Sequence, residues 1–558
     1  MTDSLYLSPS RKVARLNFNA SYPTSVISLL NTPDLQTFAA AFLKAEHRDE
    51  ISGNLEALPA KDYLAVFSKV LIDDPHAYDH FSKAAILASL ERFYSFYRSF
   101  LRVSVIKTAT TNKILGQEFR QVDRRFNELV VEAYRMLEEK LQGFENHTYR
   151  ELSAGTNASL LTRQLAAKLP AEYAALEPIS VIDKVMLRPP LLMHTISNKR
   201  KGLFSAVTTN PISRFAGKPS EWLCYPAKIG TSLALIYFHL DYLVNGLALA
   251  NLFALAPQSE LAGKKPDLIL IFGQRETAGM VSHYHHDETN DIWVGEVPYT
   301  DDTTYFGYMK KMALTLHNLH EIDRGRLPIH GSMVRIRFAD GRAKTVVFFG
   351  DSGAGKSESI EALQEVADQQ IVAVDTIFDD MGSFALTDDG TVTARGTETG
   401  AFVRLDDLAS SVAFANMDRG VFLNPEQKNA RVIIPAAPYA EVVANHKIDM
   451  WLYANNYDDQ VGVHLFDDEQ AAKEVFIAGK RRALGTTDEV GMTTTFFANP
   501  FGPVQEEEKT RPVIDQVFAA LFKQGTPVGE IYTHLGTDKS AKALHESARR
   551  LLQQLLEN

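Results

Sequence analysis

Apolar residues between about Pro33 and Leu176 recur at three- and four-residue spacing, the period that lines one side of an α-helix. Ala84–Val103 (AAILASLERFYSFYRSFLRV) shows it best. Its aromatic residues Phe93, Tyr94, Phe96, Tyr97 and Phe100 fit core packing or a subunit contact better than a ligand-stacking surface, and Arg120, Arg124 and Arg125 fit a solvated helix face. Residues 1–177 are therefore expected to be a helical region, through which a homo-oligomer could form. Near Pro178 the pattern changes to shorter apolar runs broken by Pro and Gly, among them Arg188-Pro189-Pro190 and the basic Ser197–Gly202 (SNKRKG). Pro266–Phe272 (PDLILIF) reads as a buried strand. Val334–Phe338 and Lys344–Phe349 read as paired strands around the turn Ala339-Asp340-Gly341, with Ile371–Val374, Val432–Ile434 and Met450–Tyr453 as further strands of a mixed sheet. Thr231–Pro257, the most apolar stretch, contains His239, Asp241 and Asn245 and reads as a buried core helix rather than a membrane span. Lys539–Leu555 reads as an amphipathic helix, and no fixed-period repeat is visible.

With 558 residues the chain has room for two or three hydrophobic cores, and 45% hydrophobic with 23% charged residues is the mixture of a globular protein. A net charge of −11 argues against general nucleic-acid binding, which needs a basic surface. The single cysteine, Cys224, excludes an intramolecular disulfide and a cysteine-built zinc site. No secretory leader is visible in MTDSLYLSPSRKVARL, so a cytoplasmic protein with no membrane partner is expected.

The chemistry is concentrated in Thr345–Leu363 (TVVFFGDSGAGKSESIEAL), an apolar strand, a glycine-rich turn and a helix in that order. The turn satisfies GxxxxGK[ST] completely. Glycines let backbone N–H groups face a phosphate, the helix presents its positive end, Lys356 reaches the outer phosphates, and the Ser357 hydroxyl binds the accompanying Mg²⁺. Gly350, Asp351, Ser352, Gly353, Ala354, Gly355, Lys356 and Ser357 are thus the candidate nucleotide-binding residues. Residues 178–335 then form a substrate-side α/β domain and 336–558 the nucleotide-binding domain with C-terminal helices.

Around this turn, residues 290 to 503 resemble the phosphoenolpyruvate carboxykinase family. Tyr305–Met312 (YFGYMKKM) is similar to that family's YxGEMKKGMF, and Ile329–Met333 (IHGSM) to its MHCSAN. Ile371–Gly382 (IVAVDTIFDDMG) occupies the place of the strand ending in GDD. Asn424–Pro435 (NPEQKNARVIIP) is similar to ENTRAAYPI, Gly396–Leu405 (GTETGAFVRL) to FEGGCYAKTI, and Phe476–Gly502 to the family's base-binding segment. The turn itself is closer to that of the bacterial HPr kinase/phosphorylase.

The resemblance implies an α/β fold, a phosphoenolpyruvate carboxykinase-like nucleotide-binding core with a mixed β-sheet, alongside the helical N-terminal region. It implies ATP with Mg²⁺ or Mn²⁺, and Lys311, His330 and an aspartate as metal ligands. Asp375 is the first choice for that aspartate, with Asp379 and Asp380 next. It further implies Tyr305 on the substrate side, Arg431 on the transferred phosphoryl group, and Arg481 and Thr494 near the nucleotide. Tyr308 replaces the family's glutamate, and Asp488 falls on the arginine of GTERGI, so Lys480, Arg481 or Arg482 would take over base recognition. The carboxylate-gripping arginine of GRSPKDKF has its best counterpart in Arg200.

The implied reaction turns oxaloacetate and ATP into phosphoenolpyruvate, ADP and CO₂. Phosphoryl transfer to a hydroxyl of a polyol or protein is the alternative, and a nucleotide-binding scaffold a third reading. His283-Tyr284-His285-His286-Asp287-Glu288 tempts as a metal cluster but reads as a polar surface loop, since adjacent histidines cannot all turn inward.

Overall fold

The computed structural model describes residues 5–19, 22–46, 55–107, 115–149, 154–275, 278–405, 416–483, 491–537 and 541–557. The chain is a mixed α/β protein with several mixed β-sheets, and among the described residues no helix is long and apolar enough to cross a membrane.

Twelve of the described strands make one sheet. Its path starts at Leu5–Ser8 and Val13–Asn17, passes through Leu101–Lys107, Ala158–Arg163, Ser180–Leu187, Trp222–Ile229, Ser232–His239, Leu268–Gln274 and Ile292–Pro298, and ends at His283–Asp287 and Ser205–Ala206. Residues 1–177 are therefore not purely helical. Helices Pro33–Glu46, Ala60–Leu71, Lys83–Arg98 and Leu115–Gln142 share an aromatic-rich core holding Phe93, Tyr97 and Phe100, but four strands from the same stretch extend the sheet. Those strands were hidden because Val103, Leu160 and their neighbours are buried on both faces, which erases the alternation that marks a half-buried strand. The sheet also runs across position 178, where Ala158–Arg163 pairs antiparallel with Ser180–Leu187.

Thr231–Pro257 corrects a second expectation. Its first half, Ser232–His239, is a central strand pairing with Trp222–Ile229 and Leu268–Gln274, and only Leu243–Leu252 is helical. An unbroken apolar run fits a doubly buried strand as well as a buried helix.

A second sheet of nine described strands surrounds the glycine-rich turn. Val334–Phe338 and Lys344–Phe349 belong to the antiparallel strands Leu327–Phe338 and Ala343–Phe349. Trp451 is fully buried beneath them, its ring within 4.5–5.6 Å of those of Phe349, Phe384, Phe476 and Phe518.

Helix Phe306–Asp323 buries nearly its whole circumference, including His317, Asn318, His320 and Glu321. His320 Nδ1 lies 2.9 Å from Ser232 Oγ, with the Arg324 guanidinium against its ring. Burial, reinforced by Arg324, pushes its pKa down from 6.5 to about 4. Folding therefore opposes protonation: the stability is complete above pH 6.5 and is lost as pH falls toward the lowered pKa. Between pH 7 and pH 4, His320→Asn is expected to lose less stability in urea unfolding than the unsubstituted protein. Equal losses would remove this explanation.

Candidate functional site

Strand Ala343–Phe349 feeds the turn, flanked by Leu327–Phe338 on one side and the parallel Met450–Asn455 on the other. The turn is tied to its surroundings at three points: Gly350 N–H donates to His330 O at 3.0 Å, Asn456 Nδ2 to Gly353 O at 3.0 Å, and Thr533 Oγ1 to Ala354 O at 2.8 Å. Gly355 has φ +106°, and a Cβ there would lie 2.6 Å from Thr533, so conformation and space both demand glycine. Helix Lys356–Val366 follows and opens its free N-terminal N–H groups toward the turn.

Lys356 Nζ donates to Gly350 O at 2.7 Å and to Asp351 O at 3.3 Å. The Asp351 carboxylate accepts from Ser352 N–H at 2.7 Å and from Arg481 Nε at 3.0 Å. Burial opposes its charge, but His330 and Arg481 outweigh that and hold its pKa below the ordinary value. Ser352 and Ser357 are exposed. The turn thus offers backbone donors, one ammonium and one helix end to an anion.

The long strand Leu327–Phe338 also positions the acid of the site. Ile371–Phe378 pairs with its Met333–Phe338 part, with a register shift at Ile377, and Met381–Leu386 pairs with Leu327–His330, which leaves Asp379 and Asp380 in the bend between these two strands, beside Gly331 and Ser332. Asp380 takes φ +69°, and its carbonyl accepts from Gly331 N–H at 3.0 Å. Its side chain gathers three partners. Oδ2 contacts Lys310 Nζ at 2.7 Å and Lys311 Nζ at 2.5 Å, while Oδ1 lies 3.1 Å from His330 Nε2. Asp379 turns aside and accepts from Ser332 Oγ at 2.6 Å. Lys310 has a second acid, Glu398, whose Oε1 is 3.0 Å away; both side chains are fully buried.

The charges of this cluster are set by their neighbours. Burial disfavours the Asp380 carboxylate, but Lys310, Lys311 and His330 hold its pKa well below 3.8. Burial works against the Lys310 ammonium too, and Asp380 and Glu398 overcome it, raising its pKa. Lys311 goes the other way, its pKa lowered by burial and by Lys310 despite Asp380. Glu398 is pushed by burial up to about 7 against the pull of Lys310.

His330 bears on whether a cation fits here. Burial, then Lys356, lowers its pKa, so the neutral ring is favoured. Nδ1 sits 2.9 Å from Ala498 O and Nε2 3.1 Å from Asp380 Oδ1, so a neutral ring has one proton for two acceptors. With the proton on Nδ1, Nε2 and Asp380 Oδ1 would face each other unbridged, an arrangement that a cation would satisfy. With Lys311 as a third donor once its ammonium has given up a proton, Asp380, His330 and Lys311 fit a divalent ion taking oxygen and nitrogen ligands. Among the described residues no group of three or more His, Cys, Asp or Glu could hold a metal ion.

Two phenylalanines carry the remaining cations. Phe501 lies under Lys311 at 4.6 Å and Arg200 at 5.2 Å; Phe402 lies under Lys310 at 5.3 Å and Arg431 at 5.4 Å. Tyr305 is buried with its ring 6.1 Å from Phe402, and Arg431 Nη2 donates to Asn429 Oδ1 at 2.9 Å. Tyr308 OH accepts from Lys201 N–H at 3.2 Å, which anchors the basic segment carrying Arg200.

Most sequence candidates therefore meet, and Asp375 is the correction. It is inside a strand, opposite Arg335 in register and ion-paired with Arg337 at 2.9 Å on a partly exposed face, whereas Asp380 is the aspartate that contacts Lys311 and His330. Thr494 pairs with Lys480 in a two-stranded ribbon that also holds Arg481 and Arg482. Asp488 lies outside the described residues. His283–Asp287 is a strand, not a loop, and its histidines diverge: His283 to Ser205 Oγ, His285 to Val207 O, His286 stacked on Trp293 at 4.3 Å.

Glu398 and the two phenylalanines escaped the sequence reading. The signal for Glu398 was the flanking Gly396 and Gly400, where the chain has no room; a Cβ on Gly400 would lie 1.9 Å from Asn251 O. No protein-family model matches this sequence, and no curated protein matches it either.

Proposed function

We propose that the chain is an ATP-dependent phosphotransferase with a phosphoenolpyruvate carboxykinase-like core, turning oxaloacetate and ATP into phosphoenolpyruvate, ADP and CO₂. The observation that supports this most is the meeting of Lys311, His330 and Asp380 next to the turn that carries Lys356. The turn's N–H groups and Lys356 hold the phosphates. Asp380, His330 and Lys311 would hold Mg²⁺ or Mn²⁺, which supplies Lewis-acid polarisation of a substrate oxygen.

In this reading oxaloacetate loses CO₂ by breaking a carbon–carbon bond, and the electron pair passes to the enolate oxygen. That oxygen attacks the γ-phosphorus as the bond to ADP breaks. The protein supplies position and charge, not a covalent intermediate. Arg431 faces the charge on the phosphoryl group, Arg200 orients a substrate carboxylate, and Phe402 and Phe501 give these cations an apolar seat that limits water.

Purified protein with Mn²⁺, ATP and oxaloacetate is expected to release ADP and phosphoenolpyruvate in equal amounts, and chelation of the metal to stop both. Untouched oxaloacetate, with ADP released only when a polyol or protein hydroxyl is supplied, would replace this reading with a kinase. Nucleotide binding without turnover on any acceptor would leave a scaffold.

A further inference from the structure

Glu398 stands outside the donor set of Asp380, His330 and Lys311, yet it is the other acid in contact with Lys310. Neither of its carboxylate oxygens accepts a hydrogen bond of regular geometry, and no part of its side chain reaches solvent. Its place is fixed from both sides. Thr397 Oγ1 donates to Met381 O at 3.0 Å, next to Asp380, and Thr399 N–H donates to Leu252 O at 2.9 Å. A carboxylate this deep costs several kcal/mol to bury, and Lys310 already has a closer partner in Asp380.

The crowding at Asp380 gives the second acid a purpose. One oxygen, Oδ2, is shared by two ammonium groups. A divalent ion that takes Asp380 as a ligand competes with both. Lys311 is partly exposed, so its ammonium can release a proton to water and join such an ion as an amine donor. Lys310 is sealed in the interior and has no route to water, so its charge must be received by another buried acid.

We propose that Glu398 is a positioning residue whose carboxylate receives the Lys310 ammonium when a divalent cation takes Asp380, releasing the Asp380 oxygens without stranding a buried charge. This rests on the reading of Asp380, His330 and Lys311 as cation ligands. Glu398 does not touch the cation; it acts through Lys310.

The test is Mn²⁺ binding to the full-length protein, read from the electron paramagnetic resonance signal of free Mn²⁺. Binding of a fluorescent ATP analogue is measured in parallel. The site is assigned by its loss in His330→Gln. Glu398→Gln is expected to raise the Mn²⁺ Kd about 10- to 100-fold, the range for outer-shell partners of a metal site, with analogue binding changed less than about twofold. Glu398→Asp, which keeps the charge but shortens the reach, should fall between the two, and it carries the test if the glutamine variant does not fold.

Equal Mn²⁺ affinity in wild type and Glu398→Gln overturns the inference and leaves the cation reading intact. So does Glu398→Asp binding as tightly as wild type while Glu398→Gln is weak, because net charge alone then accounts for the effect. A wild type that binds no Mn²⁺ at this site overturns both.

Discussion

Lys356→Ala is expected to lower turnover by about 10²- to 10³-fold, the size of effect found when one preorganised donor to a developing charge is removed. Binding of a fluorescent ATP analogue should weaken with it. The fold should survive, because the turn is closed by Gly350, Asn456 and Thr533 contacts that do not involve the lysine side chain. Arginine at 356 is not expected to rescue: the guanidinium is a broad planar fork, whereas the site between Gly350 O and Asp351 O accommodates a compact ammonium. Analogue affinity and turnover both within twofold of wild type would falsify the anion-cradle role of the turn.

Asp380→Asn is expected to cost about 3–5 kcal/mol of stability, the usual result of removing one partner from a buried ion cluster. The amide leaves Lys310 with Glu398 alone and removes the acid that Lys311 contacts. Backbone strain is not the cause, since asparagine tolerates the left-handed conformation at φ +69° better than most residues. The linkage has a definite sign. The Asp380 pKa is held well below 3.8, so its contribution is complete at neutral pH and disappears only as pH falls through that depressed value. Urea unfolding at pH 7 reads the loss, and Mn²⁺ binding should vanish in the same variant. A stability change under about 1 kcal/mol would mean that the ammonium groups are satisfied elsewhere.

The turn at 350–357 and the strand pair that frames it were legible because their requirements are local. Consecutive residues supply the apolar strand, the glycines, the lysine and the helix, and the fold places them as a unit. Lys311 and His330 were assigned through family resemblance, and the fold brings both to one carboxylate.

Which aspartate that would be was not legible. Counting along Ile371–Phe378 favours Asp375, but the face a strand residue occupies depends on its partner's register, and the shift at Ile377 resets it before the chain reaches Asp380. The strands at 101–107 and 158–163 were missed for a related reason, since burial on both faces removes the polar positions that betray a strand.

By itself, then, the sequence determined the elements whose requirements lie within one short segment: a glycine-rich turn of the GxxxxGK[ST] pattern, its strand, its helix, and a mixed α/β setting. The tertiary structure alone decided the meeting of Lys310, Lys311, His330, Asp380 and Glu398, drawn from a helix, a strand, a bend between strands and a loop far apart in the chain. Local propensity sets backbone conformation over a few residues. The distance between charges on different elements is set by sheet register and helix packing, which no single segment encodes.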